Sequence, residues 1–220
     1  MKKILSFFSI LLLLYGCSII DTKNIAPGYV EAFKTINSLL FGSNNNLITS
    51  ELIDKIPYAS SILKIGKGAP GLIILESLDG EKQTWVSADS VFIIMVDGRI
   101  IKTSGLINNL TRYASPFRKN VPLSFYVNND PISYYSYDLP LLIDLKVKSR
   151  IKMVGKEKVT LINQEKTLML IEEYIENEYL GWKVTNKFWV DDNNFVWKSV
   201  QHISPKLPPF YIEVTKKPAL

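Results

Sequence analysis

Between Leu145 and Met153 apolar and basic residues take turns: Leu145, Val147, Ile151 and Met153 alternate with Lys146, Lys148, Arg150 and Lys152. Successive side chains of a strand point to opposite faces, so this period of two commits the segment to a sheet with one apolar face and one wet face. The one interruption, at Ser149, has the form of a bulge. The pattern recurs downstream in TLMLIEEYI (167–175), WKVTNKFWV (182–190), FVWKSVQHI (195–203) and FYIEVTKK (210–217). Upstream, YASSILKI (58–65), LIILESL (72–78), KQTWVSA (82–88), SVFIIMV (90–96), RIIKTS (99–104), LSFYV (123–127) and ISYYSYDL (132–139) read as further strands. Turn signals separate them: Asp79-Gly80, Asp97-Gly98, Asn128 to Pro131, and Asp191 to Asn194. Asp-Gly is favoured where both central turn residues need positive φ, as in a tight hairpin. Many short strands with frequent turns, and no repeat of fixed period, predict an all-β fold: an antiparallel, strongly twisted sandwich or a partly open barrel.

One helix is expected ahead of the strands. From Tyr29 to Phe41, residues Val30, Phe33, Ile36, Leu39 and Leu40 recur by threes and fours on one face, and Gly42 with Ser43 to Asn46 stops the run. Its polar face is not strongly basic, which favours a helix packed on the sheet over one lying on a membrane.

The start of the chain has a different character. Met1-Lys2-Lys3 is followed by an apolar run, Ile4 to Tyr15, and then by Gly16-Cys17. A basic start, a short apolar middle and a small residue at the cut form a secretory signal. Twelve residues at about 1.5 Å each span roughly 18 Å, against a hydrocarbon core of about 30 Å. Leu14-Tyr15-Gly16-Cys17 resembles the lipobox of bacterial lipoproteins, in which cleavage between Gly16 and Cys17 leaves the thiol as a lipid-modified N-terminus. Ser18 in the next position resembles the sorting signal for the outer membrane. The expected organisation is a signal peptide over 1–16, a lipidated tether over 17–28 and a single β-rich domain over 29–220. Several acyl chains anchor a protein stably where one does so only marginally.

Cys17 is the only cysteine, so stability has to come from core burial and not from cross-links. The formal charge of +5 falls by two, to +3, when Lys2 and Lys3 leave with the signal. A balance this weak gives no reason to expect nucleic acid as a partner. Lysines at mid-strand argue against an outer-membrane barrel, where a charge facing lipid near the midplane costs about 2–4 kcal/mol.

Chemistry-bearing constellations are scarce. His202 is the only histidine, and one His with scattered carboxylates falls short of the clustering a zinc site needs. Ser87 and Asp89 lack a base oriented by a third group, and no Gly-x-Ser-x-Gly elbow is present. The Gly66 to Gly71 loop lacks the Lys-Ser/Thr of a phosphate cradle. Glu172, Glu173, Glu176 and Glu178 form an acidic group near Tyr174 and Tyr179. Paired carboxylates can cleave glycosides, but Glu172 and Glu173 are consecutive in a strand and point apart, so solvated edge charges account for them better. No cofactor or metal is expected. Trp182, Trp189 and Trp197, with Tyr134, Tyr135 and Tyr137, are many rings for strands. The tryptophans are candidate glycan-contact residues, set against the simpler reading of aromatic core.

Three stretches carry a resemblance to a known family. Ile48 to Gly68, Gln83 to Leu106 and the following Asn108-Asn109-Leu110 resemble the YjbF/GfcB family of group 4 capsule lipoproteins. The most specific words are Ile56-Pro57-Tyr58-Ala59, Trp85-Val86-Ser87-Ala88-Asp89, and Gly98-Arg99 through Thr103-Ser104-Gly105-Leu106; the family usually shows glycine where Ser90 stands. The resemblance implies an all-β lipoprotein without an assigned reaction, acting in capsule or exopolysaccharide production. It also implies partners among the envelope's polysaccharide-export proteins, with a glycan as a candidate ligand. The leading expectation is a non-enzymatic outer-membrane lipoprotein, facing the periplasm and supporting polysaccharide assembly or export. A periplasmic carrier that shields an acyl or polyprenyl chain in a half-barrel stands second, and a carboxylate glycosidase third.

Overall fold

The computed structural model describes residues 48–117, 121–127 and 129–218. The signal segment, Cys17, the tether and the expected helix over Tyr29 to Phe41 lie outside the described residues.

The described chain opens with a short helix, α1 (Ser50–Lys55), whose first turn is capped by Thr49: its Oγ1 accepts from Leu52 N at 3.3 Å. Twelve strands follow: β1 (Ser60–Ile65), β2 (Gly71–Asp79), β3 (Lys82–Ser87), β4 (Phe92–Val96), β5 (Arg99–Ser104), β6 (Leu110–Ala114), β7 (Ile132–Tyr137), β8 (Leu142–Leu161), β9 (Gln164–Asn177), β10 (Trp182–Val190), β11 (Val196–Gln201) and β12 (Phe210–Lys216). They form one antiparallel sheet in the order β5-β4-β3-β2-β1-β12-β11-β10-β9-β8-β7-β6. Every neighbour is a hairpin partner except β1 and β12, which join the ends of the chain. The sheet is therefore a nearly closed barrel whose seam lies between β5 and β6, where Leu110 N donates to Thr103 Oγ1 at 2.9 Å.

The wall is not round. From β11, the side chain of Gln201 reaches β5 on the facing wall, accepting from Ile100 N at 2.9 Å and donating to Gly98 O at 2.8 Å. Two layers are stitched together in this way, so the fold combines features of sandwich and barrel. The interior is filled by Trp85, Tyr137, Phe188 and Phe210, with Ile73, Ile93 and Ile175 around them, all fully buried. Outside, β8 to β12 carry cross-strand ion pairs, among them Lys187–Glu172 at 3.2 Å and Lys198–Glu213 at 3.6 Å. Pairs as exposed as these are worth about 0.2–1 kcal/mol each. No described helix is long and apolar enough to cross a membrane.

Four local expectations fail, each for an identifiable reason. LSFYV is not a strand: Leu123–Tyr126 forms a 3-10 turn, and only Val127 bridges, to Ile151. No strand is expected between RIIKTS (99–104) and LSFYV (123–127), yet β6 lies there, and its pattern has little alternation to betray it. Ser149 is no bulge, because the ladder runs unbroken from Lys148↔Glu176 to Met153↔Ile171 and shifts only before Gly155; Ser149 is a serine in an interior position. Finally, β8 and β9 are long, with 20 and 14 residues. Beyond the end of β10 they continue as an arm over β11 and β12. Ile162 N donates to Glu213 Oε1 at 2.7 Å, while Val159, Leu161 and Leu168 are buried with Trp197 and Val214.

Candidate functional site: two cavities at one rim

In an up-and-down sheet every second turn lies at the same end. The β4–β5 and β10–β11 turns therefore share a rim with the start of β1 and the end of β12. At that rim Gly98, with φ +75, packs against Val196; a β-carbon built on it would lie 2.5 Å from Val196 Cβ. Only a residue without a side chain both adopts that φ cheaply and permits this approach. Asp97, Asn194 and Val196 form a partition, and on each side of it lies a cavity of about 340 Å³.

The first cavity is walled by Phe117, Leu123, Ile171 and Val190, with Arg99 inside and Asn193 and Asn194 toward the mouth. Arg99 comes from β5, directly after the turn, and is 7% exposed. Its Nη1 donates to Glu173 Oε2 at 2.7 Å, and the same oxygen accepts from Asn186 Nδ2 at 3.0 Å. The guanidinium lies 4.4 Å from the Phe117 ring centroid and 5.0 Å from that of Phe188. Burial opposes its charge, but Glu173 together with Tyr113 and Tyr135 outweighs this and holds the guanidinium pKa above its ordinary value. Burial also pushes the Tyr113 and Tyr135 phenols up. Three buried polar atoms in this region have no hydrogen-bond partner among the described residues: Arg99 Nη2, Glu173 Oε1 and Ser149 Oγ. Buried polar groups are nearly always paired, so such a concentration marks the interior around β5, β8 and β9 as polar beyond what the fold requires.

The second cavity is lined by Trp85, Gln83, Phe195, Trp197 and Ser199. Trp197 is held in place from several sides. Its Nε1 donates to Asp191 Oδ2 at 2.9 Å, Phe195 meets it edge-on, and Lys166 and Lys217 lie 4.2 and 4.7 Å from its centroid. Burial alone would raise the Asp191 pKa; bonds from Trp197, Phe195 N and Lys217 outweigh it and hold the carboxyl below its usual range. Trp189 sits half-buried on the outer face, donating to Glu157. Trp182 is buried and packs edge-on against Tyr135. The structure thus places Trp197 at a cavity, Trp182 in the core, and Trp189 beneath the arm.

The acidic group is divided by the sheet. Glu172 faces out to Lys187, whereas Glu173 is fully buried. The reading of these residues as edge charges is corrected, since β9 lies between β8 and β10 and has no free edge. Ser87 Oγ bonds Asp89 and accepts from Val91 N at 3.0 Å within the β3–β4 turn, with no histidine beside it. His202 is half-buried, and its main-chain N donates to Asn186 Oδ1 at 2.7 Å. Among the described residues no three His, Cys, Asp or Glu side chains are grouped to hold a metal ion. Arg99 was not singled out as a site residue and Glu173 was taken for a solvated charge, although a signal existed: Glu173 is in phase with Ile171 and Ile175, the interior positions of its strand.

A family model described as "Group 4 capsule polysaccharide lipoprotein gfcB, YjbF" matches residues 33–215. The uncharacterized lipoprotein YjbF of Escherichia coli (strain K12) is 24% identical over 201 residues, covering 88% of each chain. The uncharacterized lipoprotein GfcB of the same strain is 28% identical over 107 residues, 49% of this chain and 45% of the other. Among solved structures, the hypothetical lipoprotein YmcC from Escherichia coli (K12) superposes with a TM-score of 0.68 at 21% identity, covering 86% of this chain and 97% of the other. That likeness is one of fold.

Proposed function

Since the chain belongs to the group 4 capsule polysaccharide lipoprotein family, YjbF/GfcB, we propose that it is a non-enzymatic outer-membrane lipoprotein that supports capsule or exopolysaccharide assembly or export from the periplasmic side. Acyl chains on Cys17 hold it there after cleavage behind Gly16, and its partners are the polysaccharide-export proteins of the same envelope. The family match over 33–215 carries this reading, and the Leu14-Tyr15-Gly16-Cys17 word supports the anchor. A non-enzymatic role is supported by the division of Glu172 from Glu173, and by the engagement of the interior carboxylate with Arg99 and Asn186. A glycosidase needs two carboxyl groups converging about 5–9 Å apart on one sugar.

The carrier reading has one observation in its favour, the pair of cavities. A 150 Å³ cavity holds benzene, so 340 Å³ holds about a dozen non-hydrogen atoms. Each cavity fits a single ring or a short segment of chain rather than a polyprenyl tail, which keeps this reading second.

The test is deletion of the gene with complementation by wild type or by Cys17→Ser, measuring polysaccharide released from the cell surface. Loss on deletion, rescue by wild type and failure of Cys17→Ser are expected. Unchanged surface polysaccharide in the deletion strain would overturn the assignment.

A further inference from the structure

We propose that the rim opposite the two cavities is a self-association surface, through which two copies of this chain meet end to end about a two-fold axis. This goes beyond the polysaccharide role and does not rest on it. The β5–β6, β7–β8 and β9–β10 turns follow one another along that rim. Together with the first residues of β8 they hold out Ile107, Leu139, Leu141, Ile143 and Tyr179, each between 66% and 87% exposed. Single exposed apolar residues are ordinary. Five on three neighbouring turns, presenting on the order of 600 Å², mark a contact surface.

The turns are braced from within. Asp138 Oδ1 accepts from Asn109 N at 2.7 Å and from Leu139 N at 2.8 Å, and its Oδ2 accepts from Asn109 Nδ2 at 2.7 Å. Asn108 Nδ2 donates to Leu139 O, which ties the β5–β6 turn to the β7–β8 turn. At the third turn Asn177 Oδ1 accepts from Leu180 N at 2.7 Å, while its Nδ2 donates to Lys146 O of β8 at 2.8 Å. Polar side chains thus pair with main-chain groups on the inner side, and the apolar ones are left outward. A surface of this kind has little ordering entropy to lose on binding and strands few main-chain groups when water leaves.

Area and charge select a second copy as the occupant. A standard interface buries about 800 Å² per partner, and the five side chains with the turns beneath them supply nearly that. Behind the tips Lys148 pairs with Glu178 at 2.7 Å, Lys183 pairs with Glu176, and Arg112 pairs with Asp144. Asp138 and Lys146 add one charge of each sign. Two such balanced ends meet without net repulsion, whereas adhesion to an anionic bilayer calls for a basic collar. In a two-fold contact the same patch serves both copies. The β7–β8 turn stands between the other two, so Leu141 lies near the axis and meets Leu141 of the partner subunit.

The test uses the intact lipidated chain. Sedimentation in mild detergent is expected to show monomer–dimer exchange with a Kd in the micromolar range. Leu141→Glu and Tyr179→Lys are each expected to weaken it at least tenfold, with a thermal melt of each variant to show folding. In intact cells, oxidation of Leu141→Cys is expected to yield a disulfide-linked dimer. Leu78→Cys, at the cavity rim, and wild type, which controls for Cys17, are expected to yield none. The inference is overturned by a monomer at every concentration, by a dimer that the folded Leu141→Glu variant retains, or by linkage of Leu78→Cys as efficient as that of Leu141→Cys. It is equally overturned if Leu141→Cys links only to other envelope proteins. A bimane on Leu141→Cys that nitroxide-labelled lipid quenches in liposomes would assign the tips to the bilayer and overturn it as well.

Discussion

Gly98 of the β4–β5 turn rests on Val196 of β11, five strands away around the sheet, so closely that an added β-carbon would sit 2.5 Å from Val196 Cβ. Gly80, in the β2–β3 turn, has a similar φ of +58 with nothing within 4 Å of the same construction. The pair separates conformation from contact. Gly80→Ala is expected to cost about 1–2 kcal/mol, the penalty for a left-handed residue with a side chain. Gly98→Ala carries that penalty plus about 1–3 kcal/mol of overpacking. Urea denaturation of both variants checks the difference, and Val196→Gly, which removes the clashing β-carbon, is expected to relieve Gly98→Ala but not Gly80→Ala.

The Arg99–Glu173 pair is more costly to break than to replace. Glu173→Leu leaves a buried guanidinium uncompensated and is expected to cost about 3–5 kcal/mol. The double variant Arg99→Met, Glu173→Leu removes both charges and is expected to recover most of that loss. A double-mutant cycle by chemical denaturation reads the coupling directly; additive losses would show that the pair does not act as a unit.

His202 gives the fold a mild dependence on acidity. Burial lowers its pKa from the ordinary 6.5, partly opposed by a main-chain bond to Thr185. The unfolded chain therefore takes up a proton that the folded chain resists, and stability is full above pH 6.5 and declines as pH falls below it. Denaturation midpoints at pH 7.5 and pH 5 are expected to differ in wild type, and to differ less in His202→Gln.

Ser90 occupies the left-handed region with φ 63. Ser90→Gly is expected to stabilise the protein by about 1 kcal/mol, since the strain of a β-carbon at positive φ is removed. A raised urea midpoint with unchanged slope checks this.

What the sequence disclosed, and what it hid, follows from where side chains go. In β10, Trp182, Asn186, Phe188 and Val190 face inward while Lys183 and Lys187 face water, and such a two-sided strand announces itself. Asp97-Gly98 announced its turn by composition alone. LSFYV misled because five mostly apolar residues fit a strand or a turn equally well. Its Phe125 proves 68% exposed beside a buried Tyr126, an arrangement set by Pro122 and by the packing of Tyr126 on Phe117. β6 hid for the opposite reason, with only Leu110 buried in its run. At the site the tryptophans drew attention because they are large and rare. Arg99 drew none and Glu173 was taken for a surface charge, because charged residues at interior strand positions look like surface residues until partners 74 positions apart are brought together.

The joining of β1 to β12 at one rim also sets a limit on distance. From Cys17 to Ile48 the backbone can extend to about 100 Å. If Cys17 is the anchor, the rim where β1 begins and both cavities lie can stray from the bilayer by little more than that length, however the barrel tumbles. The opposite rim, where Ile107, Leu141 and Tyr179 stand exposed, can range farther by the height of the wall. With Cys17 as the anchor, the rim that carries both cavities is held nearer the bilayer than the opposite rim.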